Sequence, residues 1–269
     1  MAKPLDFNQK WILITGASSG LGREMARQLA HQHKANLIVV ARRKAKLEAL
    51  KQELERDAQV QVKVMTADLS IPEQVDQVVN QSIADGQLYG VILNAGTTYF
   101  GPQKELPWEQ FETIMQTNIM GLVRMINPLV NHFEQANKSG GILIVSSMAA
   151  FSPVPYQAAY SATKAFLSNF ANALYHELKN PNFSITVFEP GGIETEMTED
   201  KKFNDLRAWL MPVEQAAKEG IHAFQQRKYR YVPGMTNRVG AYLMGLLPGK
   251  VIAGKMAKVY SKALSKADR

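Results

Sequence analysis

Seven short apolar runs, separated by amphipathic stretches, constrain the fold of this chain most strongly. Several of them, such as 142–145, are apolar at every position, which is typical of strands buried on both faces. The alternation of strand and helix predicts an α/β fold, doubly wound around a mostly parallel seven-stranded sheet, with ligands at the carboxyl ends of the strands. The predicted strands are 11–15, 36–41, 61–66, 88–94, 141–147, 185–190 and 229–232, and the predicted helices begin near Leu21, Lys44, Pro72, Trp108, Ala159 and Pro212.

A glycine-rich segment follows the first predicted strand at once. Gly16, Gly20 and Gly22 form the pattern T-G-x-x-x-G-x-G and lead into a helical pattern. Glycine lets the backbone turn tightly and approach a pyrophosphate, whose charge the N–H groups at the helix start can receive. Strand, glycine turn and helix together predict a Rossmann-type dinucleotide site, and a tight turn without any ligand is the alternative.

Tyr160 and Lys164 are four residues apart on the helix predicted from Ala159. Residues at this spacing share one helix face, so the ammonium can lie against the phenol. A neighbouring cation favours phenolate, and we expect it to lower the pKa of Tyr160 from its ordinary value near ~10. A phenol tuned in this way can act as a general acid or base, whereas an ordinary half-exposed pair would have no such role.

The bulk properties predict one catalytic domain without a membrane span. We expect 1–235 to form that domain and 236–269 to form a basic, amphipathic C-terminal extension. No apolar run approaches the ~20 residues that a membrane span requires, and the first residues lack the apolar core of a signal peptide. Cysteine is absent, and the five histidines have no metal-ligand spacing, so we expect a cytoplasmic protein without a metal site.

These features resemble the short-chain dehydrogenase/reductase family over nearly the whole chain. The signposts of that family stand here in order, and Ser147 lies thirteen residues before Tyr160, the usual spacing. One departure is Leu93, where the family usually has an asparagine. The matching signposts are Thr15, Gly16, Gly20, Gly22, Asp68, Asn94, Ala95, Gly96, Asn118, Ser147, Tyr160, Lys164, Pro190 and Gly191.

The resemblance implies a catalytic tetrad of Asn118, Ser147, Tyr160 and Lys164. In the family, the tyrosine exchanges a proton with the substrate oxygen and the serine hydrogen-bonds that oxygen. The lysine lowers the tyrosine pKa and holds the nicotinamide ribose, while the asparagine anchors a water. Two ordinary alternatives remain: Ser147 could simply end a buried strand, and Asn118 could be a helical polar residue satisfied by the backbone.

The second strand ends in Ala41-Arg42-Arg43, without the carboxylate that usually holds the ribose of NAD. Arg42 offers a planar set of donors suited to a 2′-phosphate, and Ser18 could add a hydroxyl. The resemblance therefore implies NADP(H), although a solvated basic cluster at the helix start is the alternative. The expected cofactor-binding residues are Gly16, Ser18, Ser19, Gly20, Leu21, Gly22, Arg42, Arg43, Asp68, Leu69, Asn94, Ala95, Gly96, Tyr160, Lys164, Pro190, Gly191, Ile193 and Thr195.

Asp68 follows the third strand and has two possible roles. The resemblance places it at the adenine pocket, and a carboxylate just before Pro72 could also cap the next helix, so that both roles are compatible.

The expected reaction is hydride transfer between NADP(H) and a carbonyl or secondary alcohol. A non-catalytic NADP(H)-binding sensor or scaffold is the rival from another class, and reduction of a carrier-bound acyl ketone is a third option. Residues that flank the site in the family suggest an apolar pocket, although several could only pack the lid between Gly192 and Val213. They are Tyr99, Phe100, Phe151, Val154, Tyr156, Met197, Phe203, Trp209 and Leu210.

The net charge of +7 is a property of the C-terminal region. From Gly234 onward there are seven basic residues and one acid, Asp268, which leaves 24 basic and 23 acidic residues before it. We therefore expect a small-molecule substrate and no nucleic-acid partner. If 250–266 is helical, one face is apolar and another carries lysines. Such a helix could contact an anionic membrane, dock a partner subunit or remain solvated, and the resemblance implies a homodimer or homotetramer.

Overall fold

The structure, a computed structural model, describes residues 3–135 and 137–267. Seven parallel strands form one sheet in the order β3-β2-β1-β4-β5-β6-β7. The strands are β1 (Trp11–Thr15), β2 (Asn36–Ala41), β3 (Val62–Thr66), β4 (Leu88–Leu93), β5 (Gly140–Val145), β6 (Phe183–Phe188) and β7 (Arg230–Tyr231). The order reverses between β1 and β4, which is the switch point where α/β sheets bind ligands.

Helices cover both faces of this sheet. They are α1 (Gly20–His33), α2 (Lys44–Asp57), α3 (Pro72–Ile83), α4 (Trp108–Met115), α5 (Gly121–Gln135), α6 (Ala158–Tyr175), α7 (Val213–Gln225), α8 (Met235–Leu246) and α9 (Gly249–Ala267). A π-helical turn, Gln116–Met120, joins α4 to α5. The predicted doubly wound α/β fold is confirmed.

Alternate side chains of the strands enter two separate apolar layers. On β1, Ile12 and Ile14 pack with α1, α2 and α7, while Leu13 packs with α3, α5 and α6. Leu13 pairs with Ile38 on one side and Val91 on the other, and all three are buried. This burial on both faces explains why the central strands read as continuous apolar runs.

Several elements differ from the predicted boundaries at their ends. Strand β5 ends at Val145, so that Ser147 lies beyond the strand, and β4 ends at Leu93, just before Asn94. Helix α7 begins at Val213, with Pro212 as its N-cap residue. The sequence indicated no separate start for α5. The earlier ends of β4 and β5 place Asn94, Ser146 and Ser147 in the loops at the carboxyl edge of the sheet.

The C-terminal region forms two helices, and α9 lies on the lid. Ala263 of α9 belongs to a third apolar cluster with Phe100 and Leu206, and Lys266 forms an ion pair with Asp205 at 2.6 Å. The boundary at residue 235 remains a prediction, and Asp268 and Arg269 of the predicted extension lie outside the described residues. Across 3–135 and 137–267, none of the helices combines the length and apolar character that crossing a bilayer requires.

Candidate active site

A deep cleft of about 810 Å³ opens at the carboxyl edge of the sheet. All but two of the residues predicted for catalysis or cofactor binding line it; Gly22 and Asn118 do not. The lining residues from those predictions are Gly16, Ser18, Ser19, Gly20, Leu21, Arg42, Arg43, Asp68, Leu69, Asn94, Ala95, Gly96, Ser147, Tyr160, Lys164, Pro190, Gly191, Ile193 and Thr195.

The glycine turn between β1 and α1 depends on the absence of side chains. Gly16 has a φ of 68°, in the left-handed region that favours glycine. A Cβ at Gly22 would lie 2.6 Å from the Gly16 carbonyl oxygen, so a larger residue would push the turn apart. Ser19, the N-cap residue of α1, makes no side-chain capping hydrogen bond. The backbone of this turn can therefore approach an anion closely, and the residues present fit a dinucleotide.

Thr15 and Asn94 connect β1 to β4 behind the glycine turn. The Thr15 hydroxyl oxygen accepts hydrogen bonds from the backbone N–H groups of Asn94 and Ala95, both at 3.0 Å. The Asn94 side-chain amide donates to the Thr15 carbonyl oxygen at 3.1 Å. Leu93, which stands where the family usually has an asparagine, is buried in β4. The hydrogen bonds between β1 and β4 therefore form without that asparagine.

Arg43 lies closest to the glycine turn at the β2 end of the cleft. Its guanidinium donates to the Ser18 hydroxyl at 3.1 and 3.0 Å and also to the Ser19 hydroxyl. It further donates to the Glu196 carboxylate at 2.7 Å, as does Lys46. Hydrogen bonds from Lys46 and Arg43 lower the pKa of Glu196 from 4.5 to about 2. Ser18, a predicted phosphate ligand, thus contacts Arg43 and not Arg42, the arginine predicted to share the phosphate with it.

Arg42 points away from the serines and toward Asp68, at 3.7 Å. The Asp68 carboxylate accepts hydrogen bonds from the Ser70 N–H and hydroxyl, at 3.0 and 2.8 Å. Burial alone would raise the pKa of Asp68, but Ser70 and the charge of Arg42 outweigh it and lower the pKa. Ile71 is the N-cap residue of α3 and has no side-chain cap. The alternative that Asp68 caps this helix is therefore wrong.

Ser147, Tyr160 and Lys164 converge on the middle of the cleft. The Ser147 hydroxyl accepts from the Ala149 N–H at 3.1 Å and donates to the Pro190 carbonyl at 3.4 Å. The buried Lys164 ammonium donates to the Val145 carbonyl at 2.9 Å and lies 5.6 Å from the centre of the Tyr160 ring. One strand end and one helix therefore bring a hydroxyl, a phenol and an amine to one place.

The prediction that the pKa of Tyr160 is lowered is wrong. Burial raises the pKa of Tyr160, the Ser147 hydroxyl opposes that effect, and Tyr260 adds to the rise. Burial also lowers the pKa of Lys164 from 10.5 to about 8. Helical spacing brings the ammonium close to the phenol, but the dense protein around both groups favours their neutral forms.

Asn118 lies in the π-helical turn and is fully buried. Its carbonyl oxygen accepts from the Thr97 N–H at 2.8 Å, and its amide donates to the Thr97 carbonyl at 2.9 Å and to the Thr163 hydroxyl at 3.1 Å. A Cβ at Gly96 would lie 3.4 Å from Asn118 Oδ1 and 3.5 Å from Lys164 Nζ. Asn118 is therefore satisfied by backbone, as the alternative suggested, and it also lies beside the lysine across Gly96.

Comparison with known proteins identifies the family. The model of the short chain dehydrogenase family matches residues 10–205. The chain belongs to the short-chain dehydrogenase family.

Proteins similar to this chain differ in their named activity and in the cofactor that they hold. The very-long-chain 3-oxoacyl-CoA reductase of Meyerozyma guilliermondii is 29% identical, over 97% of this chain and 82% of its own length. The inactive hydroxysteroid dehydrogenase-like protein 1 of Pongo abelii is 27% identical over 76% of this chain, which spans 62% of that protein's length. A short-chain dehydrogenase from Sphingobium yanoikuyae in complex with NADPH superposes with a TM-score of 0.79, at 26% identity, over 88% of this chain and 94% of its own. Another solved match, from Brucella melitensis, holds NADH instead.

Of the apolar and aromatic residues expected around the substrate, some line the cleft and others do not. Val154, Met197, Phe203, Trp209 and Leu210 line the cleft. Phe100 and Tyr156 instead pack in the third apolar cluster under the lid, and Phe151 lies beneath the Arg230 guanidinium at 4.3 Å. Tyr99 turns back to the carbonyl of Pro102. The suggestion that some of these residues only pack the lid is correct for Phe100 and Tyr156.

The C-terminal helices contribute side chains that sequence reasoning did not assign to the site. Asn237 and Met244 of α8, and Met256 and Tyr260 of α9, line the same cleft. Burial raises the pKa of Tyr260. The apolar face of 250–266 was visible in the sequence, but the surface that it covers depends on how α9 lies against the lid.

A buried polar network behind Ser147 was also missed. The Ser146 hydroxyl donates to the Lys164 carbonyl at 2.9 Å and accepts from Ser168. The Ser168 hydroxyl also reaches Glu189, a fully buried carboxylate that pairs with Arg230. This network fixes the end of β5 against α6 and β6. Among the described residues, no group of three or more histidine, aspartate or glutamate side chains could hold a metal ion.

Proposed function

We propose that this chain is an NADP(H)-dependent oxidoreductase that interconverts a carbonyl and a secondary alcohol on an apolar substrate. One observation carries the proposal. Ser147, Tyr160 and Lys164 line the same cleft as the glycine turn, so a dinucleotide on that turn and a substrate beside the phenol would share one crevice. Family membership makes an oxidoreductase the default, and the cleft supplies the groups that the reaction needs.

A bound nicotinamide supplies the hydride, or accepts it, and the protein handles orientation and the proton. In the reductive direction Tyr160 gives its proton to the developing alkoxide, and Ser147 hydrogen-bonds the same oxygen. Because burial raises the pKa of Tyr160, the phenol is protonated at neutral pH, as a general acid must be. Lys164, held by the Val145 carbonyl, orients the ribose, and Asn118 fixes the Thr97 backbone beside it.

The preference for NADP(H) is supported by the groups at the end of β2. Arg42 and Arg43 follow that strand, and Arg43 already contacts Ser18. A guanidinium with a hydroxyl beside it suits a phosphate dianion, whereas a ribose diol is usually held by a carboxylate at this point.

The substrate class is supported by the apolar half of the cleft. Met197, Trp209, Leu210, Met244 and Met256 surround its outer part. An acyl ketone is one candidate, because the Meyerozyma guilliermondii relative is a very-long-chain 3-oxoacyl-CoA reductase. Steroid-like and aromatic ketones fit the same surface. The homodimer or homotetramer and the cytoplasmic location stay predictions.

A non-catalytic dinucleotide sensor is the second candidate, favoured by the relative that is named inactive. Against it, Asn118, Ser147, Tyr160 and Lys164 are all present, and the last three line one cleft.

The deciding experiment measures NADPH consumption with ketones of graded size and apolarity. The wild-type chain should turn over at least one apolar ketone. Tyr160→Phe should lose about 100-fold or more of that rate, because it removes a general acid, while it still binds NADPH. Tyr175→Phe removes a hydroxyl from the far end of the same helix and should leave the rate unchanged. NADPH binding without turnover by the wild type, or full turnover by Tyr160→Phe, would contradict the proposed reaction.

A further inference from the structure

Helix α8 presents an apolar face to solvent. Met235, Val239, Tyr242, Leu243 and Leu246 recur every three or four residues and are each between 50% and 70% exposed. Leu247 and Val251 extend this face around the corner into α9, at 46% and 45% exposure. We call these seven residues the α8 face. Single exposed apolar residues are ordinary, but a continuous row along a helix indicates a binding surface.

Basic side chains border this face, and no acid does so within the segment. The sequence from 235 to 267 contains no aspartate or glutamate. Arg238 forms an ion pair with Glu219, and Lys266 forms one with Asp205. Lys250, Lys255, Lys258 and Lys262 are exposed, and within the described chain none of them forms an ion pair. These four lysines, the α9 lysines, are exposed along α9, whereas Ile252 and Ala263 of the same helix are buried.

Three of the α9 lysines also surround a shallow groove. Lys250, Lys255 and Lys258 line it together with Val251 and Gly254. A Cβ at Gly254 would meet nothing within 4 Å, so this part of the helix surface is open. The groove therefore places three ammonium groups around a small, accessible depression next to the end of the α8 face.

We propose that the α8 face and the α9 lysines dock this protein on an anionic lipid bilayer. The apolar row would enter the boundary between headgroups and acyl chains, and the lysines would contact the lipid phosphates and carboxylates. Each lysine near an anionic surface contributes roughly fivefold in affinity, so four of them add substantially to the apolar contact. The docking does not depend on the proposed reaction.

The charge of the segment favours a bilayer over a second copy of the chain. A two-fold symmetric dimer through this surface would bring the same patch of both copies together. Both patches would then contribute lysines and neither would contribute an acid, so like charges would repel at the interface. An anionic bilayer instead meets both the apolar row and the positive charge.

The test is sedimentation of the full chain with vesicles. One set is phosphatidylcholine alone, and the other is equal parts of phosphatidylcholine and phosphatidylserine. The wild type should pellet with the anionic vesicles and much less with the neutral ones, and added salt should reduce the difference. A triple variant, Leu243→Ser, Leu246→Ser and Leu247→Ser, should lose affinity by about tenfold or more, because it removes the centre of the apolar row.

A second triple variant carries Lys250→Glu, Lys255→Glu and Lys258→Glu, and it should lose about tenfold or more specifically for anionic vesicles. Its matched control changes three exposed lysines elsewhere, Lys104→Glu, Lys218→Glu and Lys228→Glu, and should pellet like the wild type within about twofold. Since these side chains are exposed, the lysine variants test the proposal even if the leucine variant fails to fold.

Two results would overturn the proposal. The wild type could fail to bind anionic vesicles, or both lysine variants could lose binding equally, which would indicate only an effect of total charge. If the wild type fails to bind vesicles and the leucine variant also changes the sedimentation coefficient of the lipid-free protein, the α8 face would be assigned to contact between copies of the chain.

Discussion

At the scale of single residues, Lys164 lines the candidate active site, and its buried surroundings disfavour the charged form of its side chain. It is 4% exposed, and burial lowers the pKa of its ammonium from 10.5 to about 8. The unfolded chain therefore binds this proton more tightly than the folded chain does. Between pH 8 and 10.5, the contribution of Lys164 to the stability rises with pH, and below pH 8 its burial as a cation costs about 3 kcal/mol.

Lys164→Met should therefore stabilise the protein at neutral pH while it removes the amine from the site. Methionine is unbranched and of similar length, so it fits the same space. After the loss of the hydrogen bond to Val145, worth about 1 kcal/mol, a gain of about 1–2 kcal/mol should remain in the free energy of unfolding. Urea unfolding near neutral pH and at about pH 10 checks this, since the gain should shrink as the wild-type lysine loses its proton.

The exposed Lys218→Met variant is the control, and its free energy of unfolding should differ from that of the wild type by the same small amount at both pH values. If Lys164→Met were less stable than the wild type by a constant amount across this range, the pKa of Lys164 would not be lowered in the folded chain.

At the scale of elements, the strands were predictable because a strand that is buried on both faces is apolar at every position. The run 142–145 is apolar at every position since Leu143 enters one layer while Ile142 and Ile144 enter the other. No such sequence pattern marks the residue at which the strand ends. Ser146 and Ser147 are compatible with a strand, and the Ser146 N–H still pairs with the Phe188 carbonyl of β6. The strand ends because Ser147 caps the helical turn Met148–Ala150 that follows.

Contacts between elements were less predictable than the elements themselves. Arg42 and Arg43 are neighbours in a basic turn, and the sequence favoured Arg42 as the main ligand of a phosphate. In the structure, Arg43, the N-cap residue of α2, contacts Ser18, and Arg42 lies beside Asp68. Glu196 and Tyr260 reach the cleft from the lid and from α9, so no local pattern could have assigned them to it.

Glu196 connects the lid to α2 through two ion pairs. From these contacts we predict how its substitution changes the affinity for the cofactor. The Glu196 carboxylate contacts Lys46 and Arg43, and Arg43 is one of the groups proposed to attract a 2′-phosphate. The carboxylate therefore competes with a phosphate for Arg43. Glu196→Gln should lower the Kd for NADPH by about twofold to fivefold, as expected for partly exposed ion pairs, and should change the Kd for NADH less. Fluorescence titration with both cofactors measures this difference.

Glu199→Gln serves as the matched control, since Glu199 is an exposed acid on the same lid and forms no ion pair with any described residue. Weaker NADPH binding by Glu196→Gln would instead mean that the carboxylate supports the pocket by holding the lid closed. An equal change for both cofactors would mean that Arg43 does not distinguish them.

At the scale of the whole molecule, α9 stands apart from the two main apolar layers. No α9 residue whose burial the structure describes, 249–266, belongs to either of the two large core clusters. Its contacts are with the lid, through Ala263 and the partly buried Val259, Tyr260 and Leu264 packed near Phe100 and Leu206, and through the Lys266–Asp205 ion pair. The helix therefore acts on the outer wall of the cleft and not on the sheet.

Removing 249–269 should leave the sheet folded and loosen the lid. The circular dichroism spectrum should change only by the loss of one helix, because both main layers remain complete. The lid segment 201–209 should become cleavable by trypsin, since Phe100 and Leu206 lose their cover and local opening then costs less free energy. Tyr260→Ala combined with Lys266→Ala should produce a smaller increase in cleavage at the same segment. Cleavage of the shortened chain at the wild-type rate would show that the lid is held by its own contacts, among them the bridge between Ile193 and Met211.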